Sequence, residues 1–383
     1  MAWVKRLEGP RGRRYRVGWR DLDGVLRSKT FKKRADADTF KSETETALRR
    51  RTYIDPKKGE ALFGDYFARH LGQATNLQPA TLSRYRTHGR LYLLPVFGKR
   101  QLASITSEDV KNFNEAMEKE RGAATVEAVF WLLRRVLRAA YEDELIGRNP
   151  AVLVRVKRAA RKDIRVLGAD QLMALADAIE DRYRALILML GFCGLRIGEA
   201  FALRVRDVDL RARRLHVSKS SSEIEGEVVE GPTKTAKPRS VPMPAFFVDD
   251  IAQHINEFCD PLDREARVFT SSQGDPMRQH NFRRREFARA CKSAGITPPI
   301  RVHELRHTAV SLAIQAGAHP SAIKELVGHS TITTTLNVYG KVGPSLAEEA
   351  AEKLDAVGRA ARAPKPAEVV QLRPRERDSR PQQ

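Results

Sequence analysis

The chain has 383 residues, which exceeds one comfortable hydrophobic core and suits two or three domains. A net charge of +21 and an isoelectric point near 10.2 favour a polyanionic partner. Nucleic acid is the commonest such partner, and a ribosomal or membrane-surface role is the alternative. Three scattered cysteines exclude a disulfide framework and a cysteine metal site, and they fit a reducing cytoplasm. No run approaches the ~20 apolar residues of a membrane span, and the first residues lack a signal peptide's apolar run.

The first 58 residues are strongly basic, with 18 Lys and Arg against 8 Asp and Glu. Between Arg14 and Arg20, aromatic and basic residues alternate with a period of two, which predicts a strand with one basic face. Val25 to Phe31 reads as a second strand, and a helix is expected from about Arg34 to Arg51. A small sheet backed by a helix could enter a DNA groove, or its basic face could simply be solvated. The candidate DNA-binding residues here are Arg14, Arg16, Arg20, Arg27 and Lys29.

Residues 60–150 are helical in pattern and follow a predicted linker at 55–59. Pro79 is expected to open a helix that ends before Pro95. Thr106-Ser107-Glu108-Asp109 resembles a capping box, and a long helix around Val126 to Tyr141 is stopped by Gly147-Arg148-Asn149-Pro150. This pattern predicts a four-helix domain with its own core.

A basic connector from Arg155 to Arg165 includes Lys157 and Arg158, which could cross a DNA backbone or remain a solvated linker. Beyond it, helices alternate with expected strands at 215–219, 240–243 and 267–270. A stripe of Leu346, Ala350, Leu354 and Val357 predicts a helix at 346–360, which packs on its own domain or on a neighbouring protomer. The Pro-, Arg- and Gln-rich residues 361–383 are expected to be disordered.

Four separated motifs in the second half of the chain carry the residues suited to chemistry. Gly194-Leu195-Arg196 predicts a helix break, with Glu199 three residues on and able to orient Arg196. Each motif alone has an ordinary structural explanation, so the information lies in the set and its order. The candidate site residues are Arg196, Lys234, His303, Arg306, His329 and Tyr339, supported by Glu199.

This ordered set resembles the catalytic pattern of the tyrosine recombinases, the phage integrase family. The resemblance covers roughly residues 60–345, and the basic N-terminus more loosely resembles the arm-site DNA-binding domain of mobile-element integrases. It implies a multidomain, mainly α protein with small β-sheets. The implied parts are an arm-site domain (1–58), a helical core-binding domain (59–155) and a mixed α+β catalytic domain (165–345).

The resemblance also implies a reaction, and the residue types suit it. Arg196 and Arg306 can bind the non-bridging oxygens of a scissile phosphate through charge-assisted hydrogen bonds. His303 and His329 can donate hydrogen bonds or help to move protons. The family's nucleophile corresponds to Tyr339, which would form a 3′-phosphotyrosyl link, and Lys234 corresponds to the acid for the leaving 5′ oxygen. No metal, ATP or other cofactor is expected.

The implied partners follow from the same resemblance. They are double-stranded DNA at core and arm attachment sites, a homotetramer on that DNA, and possible assistance from a DNA-bending host factor and an excisionase. A phage or another mobile element would be integrated or excised, in the cytoplasm at the nucleoid, with no membrane partner.

Three other readings compete with this one. His303-Glu304-Leu305-Arg306-His307 satisfies the H-E-x-x-H pattern of zinc proteases, with Glu325 as a further ligand candidate, but this short pattern arises easily by chance. A DNA-binding regulator without catalysis would explain the charge but not the intact six-residue set. A type IB topoisomerase shares similar chemistry, although the small size and the arm-like domain favour a recombinase.

Overall fold

The computed structural model describes residues 2–9, 12–22, 24–50, 53, 58–160, 163–233, 237–328 and 355. Its contacts define two compact units: Met1–Asp163 with Ser222–Val229, and Ile164–Ser221 with Glu230–Gln383. The fold is mainly helical with small antiparallel sheets, which confirms the predicted class at that level. Within the described ranges, no helix is both long enough and apolar enough to span a bilayer.

The N-terminal part of the first unit is a three-stranded antiparallel sheet, in the order β1-β2-β3, with one helix against it. Val17 and Trp19 of β2 are fully buried, and they pack with Ala37 and Phe40 of the helix. The two predicted strands correspond to the second and third strands of this sheet, and the predicted helix is present, whereas the first strand was not predicted. The elements are β1 (Trp3–Gly9), β2 (Gly12–Arg20), β3 (Leu26–Phe31) and α1 (Arg34–Arg49).

The remainder of the first unit has a separate hydrophobic core built from helices. The predicted capping box starts α5: the Asp109 carboxylate accepts from the Thr106 amide at 2.8 Å, and the Thr106 hydroxyl accepts from the Asp109 amide. The elements are α2 (Phe63–Gly72), α3 (Pro79–His88), α4 (Leu94–Phe97), α5 (Ser107–Glu120) and α6 (Ala123–Glu142).

Pro95 does not end its helix, contrary to the expectation. A π-helical turn, Gly89–Leu93, joins α3 to α4, so that Pro95 stands in the first turn of α4, where its missing N–H is not required. Gly89 permits this path, since a Cβ there would lie 2.3 Å from the Phe67 ring. The result is still four main helices, as the sequence pattern predicted.

The second unit contains a large apolar core. Its sheet has the order β4-β5-β8. Strands β6 and β7 form a separate hairpin, whose residues Ser222–Val229 are grouped with the first unit and which turns at Glu225 and Gly226, both with positive φ. The elements are α7 (Ala169–Ala178), α8 (Asp181–Phe192), α9 (Ile197–Ala202), β4 (Val208–Asp209), β5 (Arg214–Val217), β6 (Lys219–Ile224), β7 (Glu227–Pro232), β8 (Arg239–Pro242), α10 (Phe247–Phe258), α11 (Gln279–Phe282), α12 (Ala288–Ser293), α13 (Val302–Gln315) and α14 (Pro320–Val327).

The strand expected at 267–270 is wrong. Arg267 and Thr270 make isolated bridges, to Arg204 and Pro276, and among the described residues no strand pairs along this segment. The expected C-terminal helix and tail lie outside the described residues, apart from Asp355.

Candidate active site

Arg196 lies at the break between α8 and α9, where the sequence predicted a helix boundary. The break depends on Gly194, whose φ of +65° is rarely adopted by residues with a side chain. A Cβ at Gly194 would also lie 2.7 Å from Cγ1 of Val327 on α14. The turn therefore fixes the direction in which the chain enters α9, and Arg196 is the N-cap residue of that helix.

Glu199 holds Arg196 in two ways. One carboxylate oxygen accepts from the Arg196 backbone N–H at 2.9 Å, and the other accepts from its guanidinium at 2.8 Å. The Glu199 side chain has no exposed surface. Burial alone would raise its pKa, but the hydrogen bonds and charges of Arg239 and Arg196 outweigh this effect and lower the pKa to about 2. Glu199 is therefore a charged anchor for Arg196.

Arg306 projects from α13 and is 3% exposed. Its Nη1 donates to the carbonyl oxygen of Gly194, while its buried Nη2 has no hydrogen-bond partner in the part of the chain that the structure describes. Burial and the charges of Arg196 and Arg239 lower the pKa of Arg306 to about 9, with Glu199 opposing them. The guanidinium therefore remains charged near neutral pH and keeps one donor available for an anion.

Arg239 was not assigned to the site from the sequence, and it belongs there. From the start of β8 it donates to both oxygens of Glu199, at 3.0 and 2.6 Å. A Cβ at Gly328 would lie 2.9 Å from its Cδ and Nε, so Gly328 leaves room for this side chain. Strand alternation was the available signal, because Arg239 shares its inward face with the buried Val241.

His303 is one turn before Arg306 on α13, and its side chain is only partly exposed. Partial burial, together with the charges of His307, Arg306, Arg196 and Arg301, lowers the pKa of His303 to about 4. The imidazole is therefore neutral near pH 7, so one ring nitrogen can accept a proton.

Glu304 does not serve as the free base that the zinc-protease reading requires. It accepts from the Arg301 backbone N–H at 2.6 Å and from the Arg301 guanidinium at 2.7 Å, which caps α13. Burial would raise its pKa, but these bonds lower it. Glu325 is exposed on α14, and the described part of the chain contains no cluster of metal-binding side chains.

Lys234, His329 and Tyr339 lie outside the described residues. The chain on either side of Lys234 is described: Thr233 is buried, and its hydroxyl donates to the carbonyl oxygen of Lys237 at 3.4 Å. Gly328, the residue before His329, ends α14 with φ +65° and accepts from the Arg196 guanidinium at 3.4 Å. The structure thus joins Arg196, Glu199, Arg306 and the residue preceding His329.

Comparison with known proteins identifies the family to which the second half of the chain is related. Residues 165–344 match the model of the phage integrase family. The chain is 29% identical over 344 residues to the putative prophage phiRv2 integrase of Mycobacterium tuberculosis, and the match covers 87% of both proteins. Residues 165–344 form a domain of the phage integrase family, and the chain as a whole is similar to phage integrases.

Two solved structures share its fold. The Tn1549 transposon integrase, in complex with a circular intermediate DNA, aligns with a TM-score of 0.66 at 23% identity, over 76% of this chain and 99% of the other. A lambda integrase dimer bound to a COC′ core site aligns with a TM-score of 0.57 at 18% identity, over 87% and 93%. The likeness to lambda integrase thus extends over most of both chains.

The N-terminal sheet of the chain has the predicted basic face. Arg14, Arg16 and Arg20 are exposed on the side of β2 opposite the buried Val17 and Trp19. Arg16 is flanked across the strands by Lys5 of β1 and Thr30 of β3.

Arg27 and Lys29 do not belong to that face, contrary to the expectation. They pair with Trp19 and Val17, so they point to the helix side of the sheet. Arg27 forms an ion pair with Asp21 at 2.9 Å, and the Lys29 ammonium lies 4.8 Å from the centre of the Phe40 ring on α1. Phe31, an apolar residue of the same strand parity, was the sequence signal for this orientation.

Lys157 and Arg158 are exposed in an extended segment after α6, without a regular helix or strand. The backbone N–H of Ala159 donates to Glu127 of α6 at 3.1 Å, which ties the connector to the helical core. Both basic side chains remain candidates for contact with a DNA backbone.

Proposed function

We propose that this protein cleaves one strand of an attachment site with Tyr339 and rejoins it to a different partner strand. The supporting observation is the cluster of Arg196, Arg306 and Arg239 around the single carboxylate of Glu199. Three guanidinium groups and one carboxylate leave a net charge of +2. A pentavalent phosphoryl transition state gains negative charge, so this surplus stabilises it more than the ground state.

Arg306 and Arg196 are the phosphate ligands in this proposal. The buried Nη2 of Arg306 has no hydrogen-bond partner among the described residues, and an unpaired buried donor is costly unless a ligand completes it. The Arg196 side chain is 23% exposed, so it can reach an incoming oxygen while Glu199 holds its other edge. Both guanidinium groups can then donate to the non-bridging oxygens of one phosphate.

The chemical step is a transesterification. The Tyr339 hydroxyl oxygen forms a bond to phosphorus while the bond from phosphorus to the 5′ oxygen breaks. The tyrosine proton passes to a base, for which His303, unprotonated near pH 7, is the proposed acceptor, and Lys234 protonates the leaving 5′ oxygen. His329 donates to the phosphate. Because the phosphotyrosyl ester retains the bond energy, a 5′ hydroxyl of another strand reverses the step without ATP.

DNA is the partner that the charge and the exposed basic surfaces favour. We assign residues 1–58 to arm-site binding, 59–155 to core-site binding and 165–345 to catalysis; separate hydrophobic clusters in the three segments support this division. A homotetramer would hold two duplexes, with 346–360 as a docking helix, and a bending protein and an excisionase would assist. The substrate is a phage or other mobile element, acted on at the nucleoid.

A covalent trapping experiment tests the proposal. Nicked duplexes from the DNA flanking the gene would be incubated with wild-type protein and with Tyr339→Phe, then run on a denaturing gel. We expect from the wild type only an adduct at the 3′ end of the fragment upstream of the cut, with a free 5′ hydroxyl on the downstream fragment, and DNA binding retained by both proteins. An adduct from Tyr339→Phe would contradict the assignment of the nucleophile.

Two further measurements separate the alternatives. Arg196→Lys should bind DNA and fail to cleave, because an ammonium cannot replace the planar guanidinium fork. A DNA-binding regulator would give no adduct at all. A type IB topoisomerase would relax any supercoiled plasmid, whereas a site-specific recombinase requires its paired attachment sites.

A further inference from the structure

The side chain of Arg239 joins the strand that follows the Lys234 segment to Glu199, the carboxylate partner of Arg196. Arg239 stands at the start of β8, five positions after Lys234, and donates through both terminal nitrogens to Glu199. Its side chain is 13% exposed, and Glu199 has no exposed surface. Because both side chains are buried, their two charge-assisted hydrogen bonds hold the Arg239 guanidinium and the Glu199 carboxylate in one fixed orientation.

The same arginine also lies against the turn that precedes His329. Gly328 has no side chain, and a Cβ placed there would be within 3.1 Å of the Cδ, Nε and Cζ atoms of Arg239. The carbonyl oxygen of Gly328 in turn accepts from Arg196. Arg239 therefore lies where three segments meet: the Arg196 turn, the strand after Lys234 and the turn before His329.

We propose that Arg239 is a positioning residue for phosphoryl transfer, acting through Glu199 on Arg196 without contacting the DNA. This role rests on the proposed cleavage function and names a residue outside its six-residue catalytic set. Arg239 keeps Glu199 charged and holds its carboxylate in place, so that Arg196 presents one edge of its guanidinium to the phosphate.

The charges around Glu199 show why a second arginine is needed beside Arg196. Glu199 is faced by Arg196 at the start of α9, by Arg239 of β8 and, at longer range, by Arg306 of α13. Without Arg239, a buried carboxylate would keep Arg196 as its only direct guanidinium partner. It would then either take up a proton or draw the Arg196 guanidinium fully onto itself. Both outcomes remove Arg196 from the phosphate.

Single-turnover cleavage of a nicked duplex by Arg239→Met tests this role. We expect the cleavage rate to fall about 100-fold, the effect of a small misplacement of a catalytic group, while DNA affinity stays near the wild-type value. The pH profile gives a second readout: between pH 5 and 8 the variant should gain an ionisation below which cleavage is lost, because Glu199 no longer has its strongest partner. Arg239→Met combined with Glu199→Gln should lack that ionisation.

Arg184→Met is the matched control. Arg184 is also a partly buried arginine of the second unit that bridges two carboxylates, Asp177 and Asp250, but it shares no hydrogen bond with the site. This variant should cleave at the wild-type rate even if its melting temperature falls. Equal losses in Arg184→Met and Arg239→Met would reduce the effect to general stability and overturn the proposal.

The outcomes are separable. If Arg239→Met does not fold, Arg239→Lys replaces it: the charge remains but the two-pronged contact is lost, so slow cleavage with intact binding supports the role and wild-type cleavage overturns it. A wild-type adduct together with an unaffected Arg239 variant rejects this role alone. Absence of a Tyr339-dependent adduct from the wild type contradicts the cleavage function and this role together.

Discussion

Arg306 of α13 donates through Nη1 to the carbonyl oxygen of Gly194, two residues before Arg196. The converse contact comes from Arg196, which donates to the carbonyl oxygen of Gly328 at the end of α14. Each arginine is thus held by the backbone of a glycine turn, and each turn has a positive φ. The two guanidinium groups are positioned by backbone geometry before any phosphate is present, which is the preorganisation that electrostatic catalysis requires.

The first prediction concerns the Gly194 turn. Gly194→Ala should destabilise the protein by strain at positive φ, about 1–2 kcal/mol, and by a further 1–3 kcal/mol, roughly, from the clash with Val327. Gly317→Ala is the control, because Gly317 has φ +75° but open space around a Cβ. Urea unfolding would compare the two, and equal losses would contradict the role of the Val327 contact. Cleavage should fall only in Gly194→Ala, since its carbonyl holds Arg306.

The second prediction is a pH dependence of stability. The pKa of Glu199 is about 2 in the folded protein against an ordinary value of 4.5, so the folded state favours the charged carboxylate. Its contribution is complete above pH 4.5 and is lost as the pH falls towards 2, a change of about 3 kcal/mol. Unfolding free energies from pH 6 to pH 2 should therefore decline less steeply in Glu199→Gln. The control Glu325→Gln, at an exposed position, should keep the wild-type dependence of unfolding free energy on pH. A wild-type pH dependence in Glu199→Gln would contradict the lowered pKa of Glu199.

The third prediction separates helix capping from metal chemistry at Glu304. Glu304→Gln should lower stability by about 1 kcal/mol, through the weakened cap with Arg301, and leave DNA cleavage intact. A zinc protease would instead lose its activity when this glutamate is replaced. Thermal unfolding, single-turnover cleavage with and without EDTA, and the zinc content of purified protein would test this. Stoichiometric zinc combined with loss of cleavage in Glu304→Gln would reverse the interpretation.

Local signals in the sequence were sufficient for much of this fold. The capping box at Thr106 and the helix break at Gly194 depend on residues within four positions, and so does the pairing of Arg196 with Glu199. Arg239 was missed because its partner is 40 positions away in sequence and the contact requires β8 to be paired with β5. The strand expected at 267–270 failed for a related reason, since an apolar run becomes a strand only where a neighbour can pair with it.

The last prediction uses the two faces of the N-terminal sheet. Arg16 is exposed on the face opposite the core, between Lys5 and Thr30, whereas Arg27 is ion-paired to Asp21 on the helix side. If the exposed face contacts DNA phosphates, Arg16→Ala should weaken arm-site binding and reduce the salt slope of the binding constant by about 1. Arg27→Ala removes the same charge from the other face and should leave the slope unchanged.

Fluorescence anisotropy with full-length protein, on duplexes tiled along the DNA flanking the gene, would measure both slopes between low and moderate salt. The comparison isolates the face from the total charge, because the two variants carry the same net charge. Equal reductions in slope would mean that the domain attracts DNA through its overall field rather than through one face of the sheet. A reduction in Arg27→Ala alone would place the DNA on the helix side and reverse the orientation argued here.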